Sequence, residues 1–129
     1  MPDGGYYAKT PRPESLQTVK RVLSQHSAIR GYEEVETQFF KVDRFKHPAV
    51  NLYVTNIYTV GVADVQEIIE GEASITCILT VSAWNSYTPQ AREYAKAIGV
   101  GLFRFYEMMG ALNYAGNEFL DYIAPQDRR

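Results

Sequence analysis

The run Ile75-Thr76-Cys77-Ile78-Leu79-Thr80-Val81 has an apolar or β-branched residue at every position. A strand with one wet face alternates apolar and polar side chains; a strand with no alternation is covered on both faces, as in a parallel sheet carrying helices on either side. The flanking segments supply those helices. Before the run, Asp64 can cap a short helix, Val65, Ile68 and Ile69 form one apolar face, and Gly71 closes it. After the run comes the clearest helix in the chain. Thr88 caps it, Pro89 takes the first helical position, Ala91, Tyr94, Ala95 and Ile98 recur at helical spacing, and Gly99 stops it. Val100 to Phe105 then reads as another strand, with a helix over 106–114 and a last turn or helix over Asn117 to Ile123.

Upstream, a helix is expected from Ser15 to Arg30, with Ser15 as cap, Val19, Val22, Leu23 and His26 on one stripe, and Gly31 as its stop. His26 reads as a hydrogen-bonded histidine at the core edge. Two extended runs follow, Glu33 to Asp43 and Asn51 to Val60, the second rich in β-branched and aromatic types. The order α-β-β-α-β-α-β-α contains strand–helix–strand crossovers at 51–81 and 75–105. It predicts an α/β domain of three layers, α/β/α, around a mixed, mainly parallel sheet. Residues 1–14, with Gly4-Gly5, Pro11 and Pro13, read as an arm that Tyr6 and Tyr7 could dock; residues 15–124 form the domain, and 125–129 a polar tail.

Composition narrows the function classes. The 129 residues suit one domain. No apolar stretch approaches the roughly eighteen residues of a membrane span, and the start lacks the basic and apolar regions of a secretory signal. One cysteine, Cys77, cannot pair internally, which fits a reducing, cytoplasmic setting. The net charge of −2 argues against broad nucleic-acid binding. The charge is uneven, though: residues 1–50 carry +2 and residues 51–129 carry −4. A small basic surface from Lys9, Arg12, Lys20, Arg21, Arg30, Lys41, Arg44 and Lys46 is therefore conceivable, beside the plainer reading of a solvated surface. Ten tyrosines allow for an interface and a homo-oligomer.

Few residues point to chemistry. Gly99-x-Gly101 lacks the third glycine and helix start of a dinucleotide site. Two histidines and one buried-type cysteine cannot make structural zinc. The most distinctive stretch is the polar turn Ser82-Ala83-Trp84-Asn85-Ser86-Tyr87-Thr88, which leaves the carboxyl end of the buried strand and enters the capped helix. Ligands favour that edge of α/β sheets. Trp84 and Tyr87 could stack on a base, and Arg92 and Lys96 lie four apart on the helix behind. Ser82, Trp84, Asn85, Tyr87, Thr88, Arg92 and Lys96 are thus the candidate binding residues; a buried tryptophan, an Asx-type turn and a cap would account for the same letters. The acids Glu67, Glu70 and Glu72 could hold Mg²⁺ or form a solvated helix face.

Three segments together carry a resemblance: Thr59-Val60-Gly61-Val62-Ala63-Asp64-Val65-Gln66-Glu67-Ile68, Ile78-Leu79-Thr80-Val81-Ser82, and Thr88-Pro89-Gln90-Ala91-Arg92-Glu93-Tyr94-Ala95 followed by Val100-Gly101-Leu102-Phe103. This run, about a third of the chain, resembles the distal half of restriction-endonuclease-like domains of the Mrr type. The resemblance implies a nuclease fold. In that family an acid opens one strand and a Glu/Gln-x-Lys triplet sits on the next, holding Mg²⁺ and activating water. Here the second strand reads Leu52-Tyr53-Val54-Thr55-Asn56, with neither carboxylate nor lysine. Asp43 is the candidate for the upstream acid, Glu67 or Glu70 for a migrated carboxylate, and Lys41 or Lys46 for a cation reaching in. The expectation is a restriction-endonuclease-like domain without catalytic activity or resident cofactor, binding nucleic acid, a protein or a second copy of itself. The alternatives are an active Mg²⁺-dependent nuclease built on Asp43 and Glu67, and a self-assembly module.

Overall fold

The computed structural model describes residues 10–128; the arm's Tyr6 and Tyr7, like Lys9, lie outside them. The chain enters at α1 (Pro13–Gln25) and continues through β1 (Ile29–Glu36), β2 (Phe39–Arg44), β3 (Val50–Thr55), β4 (Thr59–Val60) and α2 (Val62–Gly71). It then runs through β5 (Cys77–Thr80), β6 (Ser86–Tyr87), α3 (Pro89–Ala97), β7 (Gly101–Arg104), α4 (Phe105–Ala111) and α5 (Gly116–Leu120), closing on a 3-10 turn over Pro125–Asp127.

Five strands form one sheet in the order β1-β2-β3-β5-β7, and β4 pairs with β6 in a small second sheet. β1, β2 and β3 are antiparallel neighbours, whereas β3–β5 and β5–β7 are parallel. The sheet is therefore mixed in equal parts rather than mainly parallel. The physical reason is the segment read as one run from Glu33 to Asp43. It folds back at Thr37-Gln38 into a hairpin, with β-bulges at both ends of the β1–β2 ladder, and a hairpin joins antiparallel strands.

Alternating residues split the core in two. Leu16, Val19 and Leu23 of α1, with Met108, Ala111 and Phe119 from α4 and α5, cover the face bearing Phe40, Val42, Leu52, Val54, Leu79 and Phe103. Val65 of α2 and Ala91 and Ala95 of α3 cover the face bearing Ile78 and Leu102. All four residues of β5 are buried, as its continuous apolar run requires. Three layers result.

Several element ends differ from the sequence expectation. α1 begins at Pro13, preceded by Arg12 rather than capped by Ser15, and it stops at Gln25. The stop is His26, not Gly31. His26 Nδ1 accepts from the Ala28 amide at 3.1 Å, so its Nε2 carries the hydrogen donated to the Met109 carbonyl at 2.7 Å. That pair of bonds turns the chain and ties it to α4, and Ile29 enters the core already extended. Gly31 lies inside β1. Asp64 sits in the third position of α2, its carboxylate accepting from the Gly61 amide at 2.8 Å. Thr88 caps α3 as expected, accepting from the Ala91 amide at 3.0 Å, and Gly99 takes the left-handed conformation (φ +80°) that ends the segment.

Arg44 belongs to the interior, not to a basic surface. It is 7% exposed and donates to the carbonyls of Pro48 (2.9 Å), Leu112 (3.0 Å) and Tyr114 (2.6 Å). It thereby fixes the β2–β3 connection to the loop after α4. Lys20 is also engaged, 2.9 Å from Glu34. The basic surface read from the first fifty residues is smaller than the letters suggest. Among the described residues, no helix is long and apolar enough to cross a membrane.

Candidate functional site at the carboxyl edge of the parallel strands

Thr55, Thr80 and Arg104, the last residues of β3, β5 and β7, are register partners in one row across the sheet. The segments leaving that row form two polar networks and one exposed aromatic platform.

The first network locks the turn after β5. Thr80 Oγ1 donates to the Ile57 carbonyl at 2.6 Å. Ser82 Oγ and Asn85 Nδ2 both donate to Asn56 Oδ1, at 2.5 and 2.9 Å, and Asn85 Nδ2 also reaches Thr80 Oγ1 at 3.1 Å. Asn85 is 3% exposed and Thr80 fully buried. These bonds replace the ladder beyond Thr55, so the expected strand from Asn51 to Val60 breaks at Asn56 and resumes as β4. The Asn85 amide closes the turn on the Ser82 carbonyl at 2.9 Å, and Trp84 projects from its tip with 73% of its surface exposed. Tyr58, whose carbonyl accepts from the Ser86 amide at 2.8 Å, is 64% exposed. The reading of Trp84 as a buried packing residue is thereby corrected.

The second network is charged and centres on Glu107, 2% exposed in the first turn of α4. Its carboxylate accepts from the Arg104 amide at 2.8 Å and from the Tyr87 hydroxyl. Arg92 approaches it to 3.5 Å and donates to the Tyr87 oxygen at 2.9 Å. Arg92 also donates to the Tyr122 carbonyl. A buried carboxylate is tolerated when paired and hydrogen-bonded in this way. Burial first, then the Glu107 charge, pushes the Tyr87 phenol up to about 12, so Tyr87 stays a neutral donor at ordinary pH. At the outer side of the network, Arg104 lies 3.5 Å from Glu107 and 3.4 Å from Asp127, and Tyr106 donates to Asp127 at 2.8 Å. The segment expected as a polar tail is thus engaged through its 3-10 turn.

Of the sequence candidates, Ser82 and Asn85 meet in the first network, Tyr87 and Arg92 in the second, and Trp84 stands exposed between them in sequence. Thr88 is the helix cap. Lys96 is elsewhere, at the far end of α3, paired with Asp121 (2.6 Å) and Glu93 (3.0 Å). Glu107, Arg104, Tyr106 and Asp127 are not among the sequence candidates. Glu107 had a faint signal, an acid set among Phe105, Met108 and Met109 three residues after Arg104.

The nuclease candidates are not brought together. The register that pairs Phe39 with Tyr53 puts the opening of β2 beside Thr55, and Asp43 falls at the strand's other end, opposite Gly31. Just before β2, the Gln38 side chain donates to the Val54 carbonyl at 3.0 Å and to the Tyr53 hydroxyl at 3.2 Å. Glu67 lines a surface hollow with Ala63, Gln66, Glu70 and Tyr94. Among the described residues, no three His, Cys, Asp or Glu side chains gather as a metal would require. In comparisons with protein families, curated proteins and solved structures, the chain matches none.

Proposed function

We propose that this chain is a non-hydrolytic binding domain of restriction-endonuclease-like architecture, which engages single-stranded nucleic acid at the carboxyl edge of its parallel strands. The architecture reading is supported by the strand that precedes the resembling segment. β3, the strand that would carry the triplet, pairs directly with β2 before it, and β3, β5 and β7 run parallel. The non-hydrolytic reading is supported by the strand that would carry the triplet, since Leu52-Tyr53-Val54-Thr55-Asn56 offers neither carboxylate nor lysine.

The observation that carries the binding reading is Trp84. A large aromatic left 73% exposed on a turn whose neighbours are held by four side-chain hydrogen bonds is pre-organised for contact. Bases stack on such rings at about 1–3 kcal/mol each without reading sequence. Tyr58 is a second exposed aromatic on the segment paired with this turn, and a net charge of −2 suits local stacking better than a long phosphate track.

Trp84 is the chain's single tryptophan, so its fluorescence reports the site directly. Titration with oligothymidylate, oligouridylate and duplex DNA at low salt should quench the emission with the single strands and leave it nearly unchanged with the duplex. Trp84→Ala should weaken anisotropy-detected binding roughly tenfold, the equivalent of one stacked base. Unchanged emission with every oligonucleotide would overturn the reading.

A further inference from the structure

The three arginines around α4 differ in how far their donors are used. Arg44 places its guanidinium against three backbone carbonyls. Arg92 serves Tyr87, Tyr122 and Glu107. Arg104, with five N–H donors available, makes two long contacts through one nitrogen, 3.5 Å to Glu107 and 3.4 Å to Asp127. Charge-assisted bonds settle nearer 2.7–2.9 Å, as a rule of thumb. Its Nε is buried with no hydrogen-bond partner among the described residues. The guanidinium nevertheless has a fixed place, over the Tyr106 ring at 4.8 Å and the Tyr87 ring at 5.8 Å. It is a positioned cation whose bonding capacity is largely unspent.

The group now nearest to it from outside is an anion of the chain's own. The Asp127 carboxylate meets Arg104 and accepts from the Tyr106 hydroxyl at 2.8 Å. It sits on a three-residue 3-10 turn whose residues are all exposed, so little apolar burial holds it there. Of the charges facing Arg104, Glu107 is matched by Arg92, and Asp127 is the one on an exposed turn.

We infer that Arg104 and Tyr106 form a phosphate subsite, and that Asp127 occupies it in the free protein and yields it to a phosphodiester of the strand stacked on Trp84. The subsite rests on the single-strand reading above. Tyr87, three residues after Trp84 along the chain, places its ring 5.8 Å from the Arg104 guanidinium. A phosphate replacing the carboxylate keeps the tyrosine donor and offers Arg104 two or more oxygens in place of one.

The test is a double-mutant cycle on the full chain, read by anisotropy of labelled oligothymidylate and by Trp84 quenching, with thermal melts on each variant. Asp127→Asn should tighten binding by up to roughly fivefold, the scale of one released surface ion pair. Arg104→Gln should weaken it and lower the slope of log affinity against log salt by about 0.7, one phosphate contact on a single strand. In the double variant the gain from Asp127→Asn should vanish. Quenching that persists with no gain in Asp127→Asn, or a gain that survives Arg104→Gln, would overturn the subsite and leave the stacking reading standing. No quenching in any variant would overturn both.

Discussion

The Tyr87 hydroxyl lies 2.8 and 2.9 Å from the two carboxylate oxygens of Glu107, so one phenolic hydrogen is shared across a buried charge. The two residues come from different elements, β6 and α4, and their bond ties the small sheet to that helix. Removing either partner costs the other one of its bonds.

Tyr87→Phe should cost about 1–3 kcal/mol in denaturant unfolding, the range for leaving a buried polar group short of a partner. The phenylalanine keeps the ring's packing, so the loss isolates the hydroxyl. A change within error would mean that water replaces it freely.

Glu107→Ala should cost more, about 3–5 kcal/mol, because it leaves Arg92 inside without its counter-charge. Glu107→Gln should fall between wild type and alanine, since the amide can still accept from Tyr87 and from the Arg104 amide. Urea midpoints at a constant m-value would check the ordering.

The alkaline limb of stability should report the tyrosines. Burial, helped by Glu107, holds Tyr87 at about 12, and burial with the hydrogen bond to Asp127 holds Tyr106 at about 12. Free tyrosine ionises near 10, as a general value. The folded state therefore keeps both protons where the unfolded state has lost them, so stability is full below pH of about 10 and falls as pH rises toward about 12. Ultraviolet titration should show two tyrosines ionising late, and Tyr87→Phe should remove one.

Gly101→Ala should destabilise by about 1–3 kcal/mol through overpacking. A Cβ there would come within 2.5 Å of Phe103 and 2.7 Å of Phe119, two rings already fixed edge-to-face at 5.2 Å. A thermal melt of the variant checks it.

Cys77 is fully buried in β5, and burial raises its thiol far above the ordinary range. A thiol reagent should label it only as fast as the protein unfolds, and urea should release full reactivity. Rapid labelling of the native chain would contradict the packing of β5.

Most of the architecture was legible because it rests on local signals. The uninterrupted run ending in Val81 announced a strand covered on both faces. Thr88-Pro89 and Gly99 bracketed α3. What was missed lacked such a signal. The hairpin turns at Thr37-Gln38, where no glycine or Asn-Gly marks it. α1 ends at His26 because of a bond to Met109, a residue far along the chain. The candidate site was half legible. The turn with Trp84 and Tyr87 stood out by its position after a buried strand, but Glu107, Arg104 and Asp127 are assembled by packing alone.

The sequence by itself determined the class of the fold, the capped helix α3 and the place of the polar turn, since apolar periodicity, caps and glycines act within a few residues. The tertiary structure decided the rest: that Asp43 pairs with Gly31 near the end of β2, that Arg44 is interior, that Trp84 is exposed, and that Glu107 gathers Tyr87, Arg92 and Arg104. Those outcomes depend on strand register and on which helix covers which face. Both are set by contacts between residues distant in the chain, where a single residue's shift in pairing would turn every side chain of a strand to the opposite face.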